Sequence, residues 1–101
     1  MGEKTEVTVT EVEETILRVK GSSPANALAS AISYGIYDGK TVTLRAIGAA
    51  AVNQAMKAVA IAQGYVAPRG LVLYTRPGFT DVKMPDNTVT AMVFRIFSDK
   101  A

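Results

Sequence analysis

The alternation of apolar and polar residues along the chain predicts four β-strands. The best of them is 15–20, which is rich in β-branched residues and ends at a Gly-Ser-Ser-Pro turn. The third strand contains Pro77-Gly78, which is expected to bend or break it. The predicted strands are 15–20, 41–47, 71–75 continuing at 80–84, and 88–97.

Helical spacing of apolar residues predicts two helices, at 25–34 and at 49–63. Ser23 suits the N-cap of the first helix, and Pro24 suits its first position, where the missing N–H costs nothing. Gly35 with the turn that follows it is expected to close this helix, and Gly64 to stop the second. The second helix is dominated by alanine, so it can pack very close to its neighbours.

The predicted order is β-α-β-α-β-β, with right-handed crossovers in the strand–helix–strand units. Two helices cannot cover both faces of a four-stranded sheet. We therefore predict an α+β two-layer sandwich, with both helices on one face of a mixed sheet. The last strand is apolar on both of its alternating sets, which favours a homodimer or coverage by the N-terminal segment.

The composition excludes several kinds of chemistry. The 101 residues suit one domain, and they contain neither cysteine nor histidine. Disulfides, thiolate metal sites and histidine acid–base catalysis therefore lose their usual residues, and we predict no enzymatic activity, no metal and no cofactor. No apolar run approaches the ~20 residues of a membrane span, so the expected location is the cytoplasm.

The charge is distributed unevenly. The net charge is only +2, but residues 1–14 hold five glutamates and one lysine, a net of −4. Residues 15–101 hold ten basic and four acidic side chains, a net of +6. We therefore divide the chain into an acidic extension, 1–14, and a basic domain, 15–101. A basic domain of this kind attracts phosphate polymers, although sign asymmetry also arises on ordinary solvated surfaces.

Two loops connect a strand to a helix, and both are expected at the same edge of the sheet. Helix N-termini carry unpaired N–H groups and a partial positive charge, which favour anions. Lys20, Ser22 and Ser23 could supplement the first such site, and Gly48 opens the second. Neither loop matches a known phosphate-binding fingerprint. Plain helix capping and close packing are the alternative explanations.

Four further polar residues are candidates for ligand contact. Asn53 and Lys57 are four residues apart and share a face of the second helix. Lys83 lies at the tip of the last hairpin, where it could reach along a nucleic-acid groove, and Arg76 is nearby in the sequence. The alternatives are an exposed polar stripe, a dimer interface and a solubilising edge lysine.

Taken together, these segments resemble the stage V sporulation protein S family over about residues 16–97. The resemblance is carried by Val-Lys-Gly-Ser-Ser-Pro at 19–24 and by the run from Arg45-Ala46-Ile47-Gly48-Ala49 into the alanine-rich helix. It continues through Gly-Tyr-Val-Ala-Pro at 64–68 and Pro-Gly-Phe-Thr-Asp at 77–81. It implies a role in sporulation or development.

That family is similar in turn to the Alba proteins, which are dimeric chromatin and RNA binders with the same element order. The resemblance implies nucleic-acid contacts at the loop after the first strand, at the start of the second helix and at the hairpin. Carried over, these regions are Lys20, Ser22 and Ser23, then Gly48 and Ala49, then Lys83. This chain departs from the Alba pattern in its first loop, which has one basic residue, and at Ala49, where an arginine is expected.

Three functions remain open at this point. The first is a dimeric regulator that binds RNA or DNA through backbone contacts. The second is a protein-interaction module, favoured by the missing basic residues and by the doubly apolar last strand. The third is a module that binds a small anion at a helix N-terminus.

Overall fold

The computed structural model describes residues 13–101, so the acidic extension lies almost entirely outside the described residues. These described residues form four strands, two α-helices and a short 3-10 helix at Ala67–Arg69. Their bounds are β1 Glu14–Val19, α1 Ala25–Tyr37, β2 Thr41–Ala46, α2 Ala49–Val66, β3 Leu71–Lys83 and β4 Thr88–Lys100. The predicted order β-α-β-α-β-β is confirmed.

The strands form one mixed sheet in the order β1-β2-β4-β3. β1 and β2 are parallel, and β4 is antiparallel to both of its neighbours. β3 and β4 form a long hairpin that pairs from Leu71 opposite Lys100 to Lys83 opposite Thr88. The α+β sandwich with a mixed sheet is therefore confirmed.

The predicted break in the third strand is wrong, because β3 runs through Pro77-Gly78 without interruption. The sheet order explains this. β3 is an edge strand, and an edge strand tolerates proline because half of its N–H groups have no neighbouring strand to bind.

Both helices are longer than predicted. α1 passes through Gly35 to Tyr37, and α2 passes through Gly64 to Val66. Glycine in a helix costs only about 1 kcal/mol relative to alanine, and tertiary packing of the helix can offset that cost. The chain leaves α2 through the 3-10 helix and turns at Gly70, which has a left-handed φ of 76°.

The predicted N-cap is also wrong. Pro24 occupies the N-cap position of α1, and no side chain caps that end. The hydroxyl Oγ of Ser23 instead accepts a hydrogen bond from the Lys20 backbone N–H at 2.8 Å. The Ser23 N–H donates a hydrogen bond to the Lys20 carbonyl at 3.0 Å, so Ser23 stabilises the turn between β1 and α1.

The core lies between the two helices and one face of the sheet. β2 and β4 contribute Leu44, Phe94 and Ile96 to it, and α1 contributes Ile32. α2 buries a row of small side chains against these residues: Ala51, Ala55, Ala58 and Ala62. The alanine-rich helix thus packs closely on its neighbours, as its composition predicts.

Within residues 13–101 no helix packs on the opposite face of the sheet, which we call the open face. Residues on it alternate with the core residues, and β4 places Val93 and Phe97 there, half-buried. β1 and β2 place Ile16, Arg18 and Arg45 on the same face.

Candidate nucleic-acid interface

The two strand-to-helix loops lie side by side because β1 and β2 are parallel, and Val19 is the register partner of Ala46. The first loop packs on the first turn of α2. A Cβ built on Gly21 would lie 2.9 Å from the Cβ of Ala50, so only glycine fits here without a shift. Gln54 on α2 also binds this loop, because its Nε2 donates a hydrogen bond to the Ser23 carbonyl at 2.7 Å.

This packing gives a testable expectation about the loop. Gly21→Ala should lower the free energy of unfolding by about 1 kcal/mol, because its methyl group meets that of Ala50. Adding Ala50→Gly removes the opposing methyl group and should recover most of the loss, apart from the helix cost of glycine. Urea denaturation of the four proteins of this double-mutant cycle measures the coupling. Additive effects on the free energy of unfolding would show that the side chains at positions 21 and 50 are not in steric contact.

The beginnings of both helices are open to anions. No side chain caps either helix, and neither has an acidic residue in its first turn. Gly48 precedes α2 with a φ of 90° and a ψ of 159°, a conformation that only glycine adopts readily. Gly48 and Ala49 are exposed, so the N–H groups of the first turn of α2 face accessible space.

Next to these loops lies a cavity of about 460 Å³ lined by four basic side chains. β1 and its loop supply Arg18 and Lys20, β2 supplies Arg45, and the tip of the β3–β4 hairpin supplies Lys83. We call these four residues the basic groove. No carboxylate occurs among the described residues that line it. Converging cations without counter-charges in a partly enclosed space attract phosphate groups strongly.

The structure brings together only some of the residues that the sequence singled out. Lys20 and Lys83 share the basic groove. Gly48 and Asn53 line a different, mainly apolar cavity of about 590 Å³, between α2 and β4.

The other predicted residues lie apart from both cavities. Nζ of Lys57 donates to Oε1 of Gln54 at 3.3 Å, so this lysine supports the residue that holds the first loop. Arg76 lies at the far end of the open face. Ser22 is exposed in the first loop, whereas Ser23 is engaged in the internal hydrogen bonds described above.

Sequence reasoning missed Arg18 and Arg45 as site residues. The signal for them was available in the alternation of the two strands. Each arginine directly precedes the last, buried residue of its strand, Val19 or Ala46, and so must lie on the open face. Because the strands are parallel and in register, the two arginines are direct neighbours.

Residues 13–101 hold no group of three or more His, Cys, Asp or Glu side chains placed to bind a metal ion. Neither α1 nor α2, the two α-helices in this range, has the length and apolarity needed to cross a lipid bilayer.

Two comparisons with known proteins bear on this arrangement. The family model described as stage V sporulation protein S matches residues 15–99. Among solved structures, Alba from Thermoplasma volcanium superposes with a TM-score of 0.57 at 12% sequence identity. The superposition covers 85% of this chain and 100% of the Alba chain. An identity this low shows the shared fold alone, whereas the family match spans most of the chain. The chain therefore belongs to the stage V sporulation protein S family and has an Alba-like fold.

Proposed function

We propose that this protein is a nucleic-acid-binding regulator of sporulation or development, and that it binds RNA or DNA through the phosphate backbone. The observation that carries the proposal is the basic groove, in which four cations converge without a carboxylate among its described lining residues. The proposed role is binding and not catalysis, and the proposed location is the cytoplasm. Family membership supports the developmental setting.

The groove is suited to phosphate rather than to base edges. Its side chains are arginine and lysine, which neutralise phosphates, and the adjoining helix starts add backbone N–H groups. Binding of this kind releases condensed counterions, so affinity falls steeply as salt rises. It carries little sequence information, because phosphates are the same at every position.

The expected result for Lys20→Ala or Lys83→Ala is a loss of affinity of about tenfold at 0.1 M salt. Each variant should also reduce the slope of log K against log salt by about one. Lys100→Ala is the matched control, because Lys100 is an exposed lysine at the opposite end of the hairpin. Fluorescence anisotropy with labelled oligonucleotides, titrated at several salt concentrations, measures both quantities.

Two other outcomes would contradict the proposal and point to the remaining functions. Tight, saturable binding of a mononucleotide or inorganic phosphate, with no gain in affinity for an oligonucleotide, indicates a small-anion site. Salt-independent or undetectable oligonucleotide binding, together with nuclease-resistant capture of the same protein partners from a lysate, indicates a protein-interaction module.

We also propose that the protein works as a homodimer. The mainly apolar cavity between α2 and β4 supports this, since Met56 and Met92 line it beside the polar Asn53. Sedimentation velocity is expected to give twice the 10.7 kDa chain mass at micromolar concentration. A species of single-chain mass at all accessible concentrations would contradict the dimer.

A further inference from the structure

The open face carries two pairs of arginines that oppose one another across neighbouring strands. Arg18 is the register partner of Arg45 in β1 and β2, and Arg76 is the register partner of Arg95 in β3 and β4. Like charges placed directly opposite each other destabilise a sheet. The open face nevertheless retains two such pairs. A departure of this kind from the rule for stable sheets is expected where a ligand is bound.

Three cavities follow one another along this face, and they share lining residues. The basic groove occupies the first, of about 460 Å³. Arg45 also lines the second, of about 280 Å³, and Arg95 lines both the second and the third, of about 160 Å³. Arg76 lines the third. We call the whole path the sheet groove.

Basic charge dominates the sheet groove. It is lined by six cations: Arg18, Lys20, Arg45, Arg76, Lys83 and Arg95. One carboxylate occurs among its described lining residues, that of Glu14, whose Oε2 lies 3.8 Å from Nη2 of Arg95. From Lys83 to Arg76 the path follows seven residues of β3, or roughly 24 Å. That is long enough for several nucleotides.

Aromatic rings stand at the Arg76 end of this path. Beyond the third cavity, Tyr74 stacks on Phe97 with ring centroids 5.6 Å apart, and the Arg76 guanidinium lies 5.3 Å from the Phe97 ring. Tyr74 itself is half exposed.

We propose that the sheet groove binds a single strand of nucleic acid, with its phosphates along the arginines and a base stacked on Tyr74. This inference rests on the proposed function and names the form of its ligand. An exposed aromatic ring beside a row of cations fits a single strand, because its bases are free to leave their own stack. A duplex keeps its base faces covered and can use only the cations. RNA and DNA single strands share this chemistry, so both are tested.

The test compares single strands and duplexes of the same sequence, as RNA and as DNA, with the full chain in anisotropy titrations. Tyr74→Ala is expected to weaken single-strand binding by about tenfold and to leave duplex binding unchanged. Tyr74→Trp should restore the single-strand affinity, because indole also stacks. Tyr34→Ala is the matched control, since Tyr34 is a 70% exposed ring on α1, away from the sheet groove.

Ultraviolet cross-linking gives a second readout that does not depend on affinity. Cross-links of a single strand should map to Tyr74 in β3. Equal effects of Tyr74→Ala on single strands and duplexes, or cross-links confined to the hairpin tip, would overturn the sheet-groove proposal while the proposed function stands. Failure of the wild-type chain to bind either form at low salt would overturn both. Thermal melts of each variant confirm that it is folded.

Discussion

Arg18→Glu is expected to weaken nucleic-acid binding by about fiftyfold at 0.1 M salt and, at the same time, to make the fold more stable. The substitution removes one phosphate contact and places a negative charge among the remaining cations of the basic groove. Two units of charge at roughly 0.9 counterions each give an effect of this size. A residue that only supported the fold would show the opposite effect on stability.

The stability gain follows from the cross-strand register. Arg18 opposes Arg45 directly, so two like charges face each other across β1 and β2. Glutamate at position 18 replaces this repulsion with an attraction, which contributes about 0.5–1 kcal/mol. For a domain of this size, the melting temperature should rise by about 2–8 °C.

Lys100→Glu is the control for this prediction, because it makes the same change in net charge at the far end of the hairpin. It should reduce affinity much less and should not raise the melting temperature. Thermal unfolding and anisotropy titration of both variants separate the two effects. If Arg18→Glu lowers the melting temperature, or leaves the affinity unchanged, then Arg18 does not trade stability of the fold for phosphate binding.

The sequence was sufficient to predict the architecture, because alternation and helical spacing are local signals. It predicted where both helices begin, although each ends three residues later than predicted, and it identified Lys20 and Lys83 as candidate site residues. It failed where the outcome depends on position within the sheet. Pro77-Gly78 breaks a central strand but is tolerated in β3, since that strand lies at the edge. Local pattern cannot distinguish an edge strand from a central one.

The candidate site was harder to predict for a similar reason. Arg18 and Arg45 are 27 residues apart, and only the register of β1 against β2 makes them neighbours. Lys83 lies near them because the hairpin tip lines the same cavity. No short-range sequence pattern predicts this proximity of the hairpin tip to β1. Asn53 and Lys57 share a helix face, as their spacing predicts, but one lines a separate cavity and the other contacts Gln54.

Gly35→Ala is expected to lower the free energy of unfolding by about 1–3 kcal/mol, although alanine is ordinarily the better helix residue by about 1 kcal/mol. A Cβ built on Gly35 would lie 2.5 Å from Cγ2 of Val42. Val42 is fully buried, and its β-branched side chain has little freedom to rotate away. α1 must therefore move off β2, the strand that carries Arg45, or the core must rearrange.

Gly64→Ala provides the matched control and should have the opposite sign. Gly64 is also a helix residue, but a Cβ there would meet no atom within 4 Å. The substitution should raise the free energy of unfolding by about 0.5–1 kcal/mol, since it restricts the unfolded chain and favours α2. The two variants should then differ in melting temperature by at least about 6 °C in calorimetry. Equal shifts in the same direction would mean that the contact between α1 and β2 is looser than the Gly35–Val42 distance indicates.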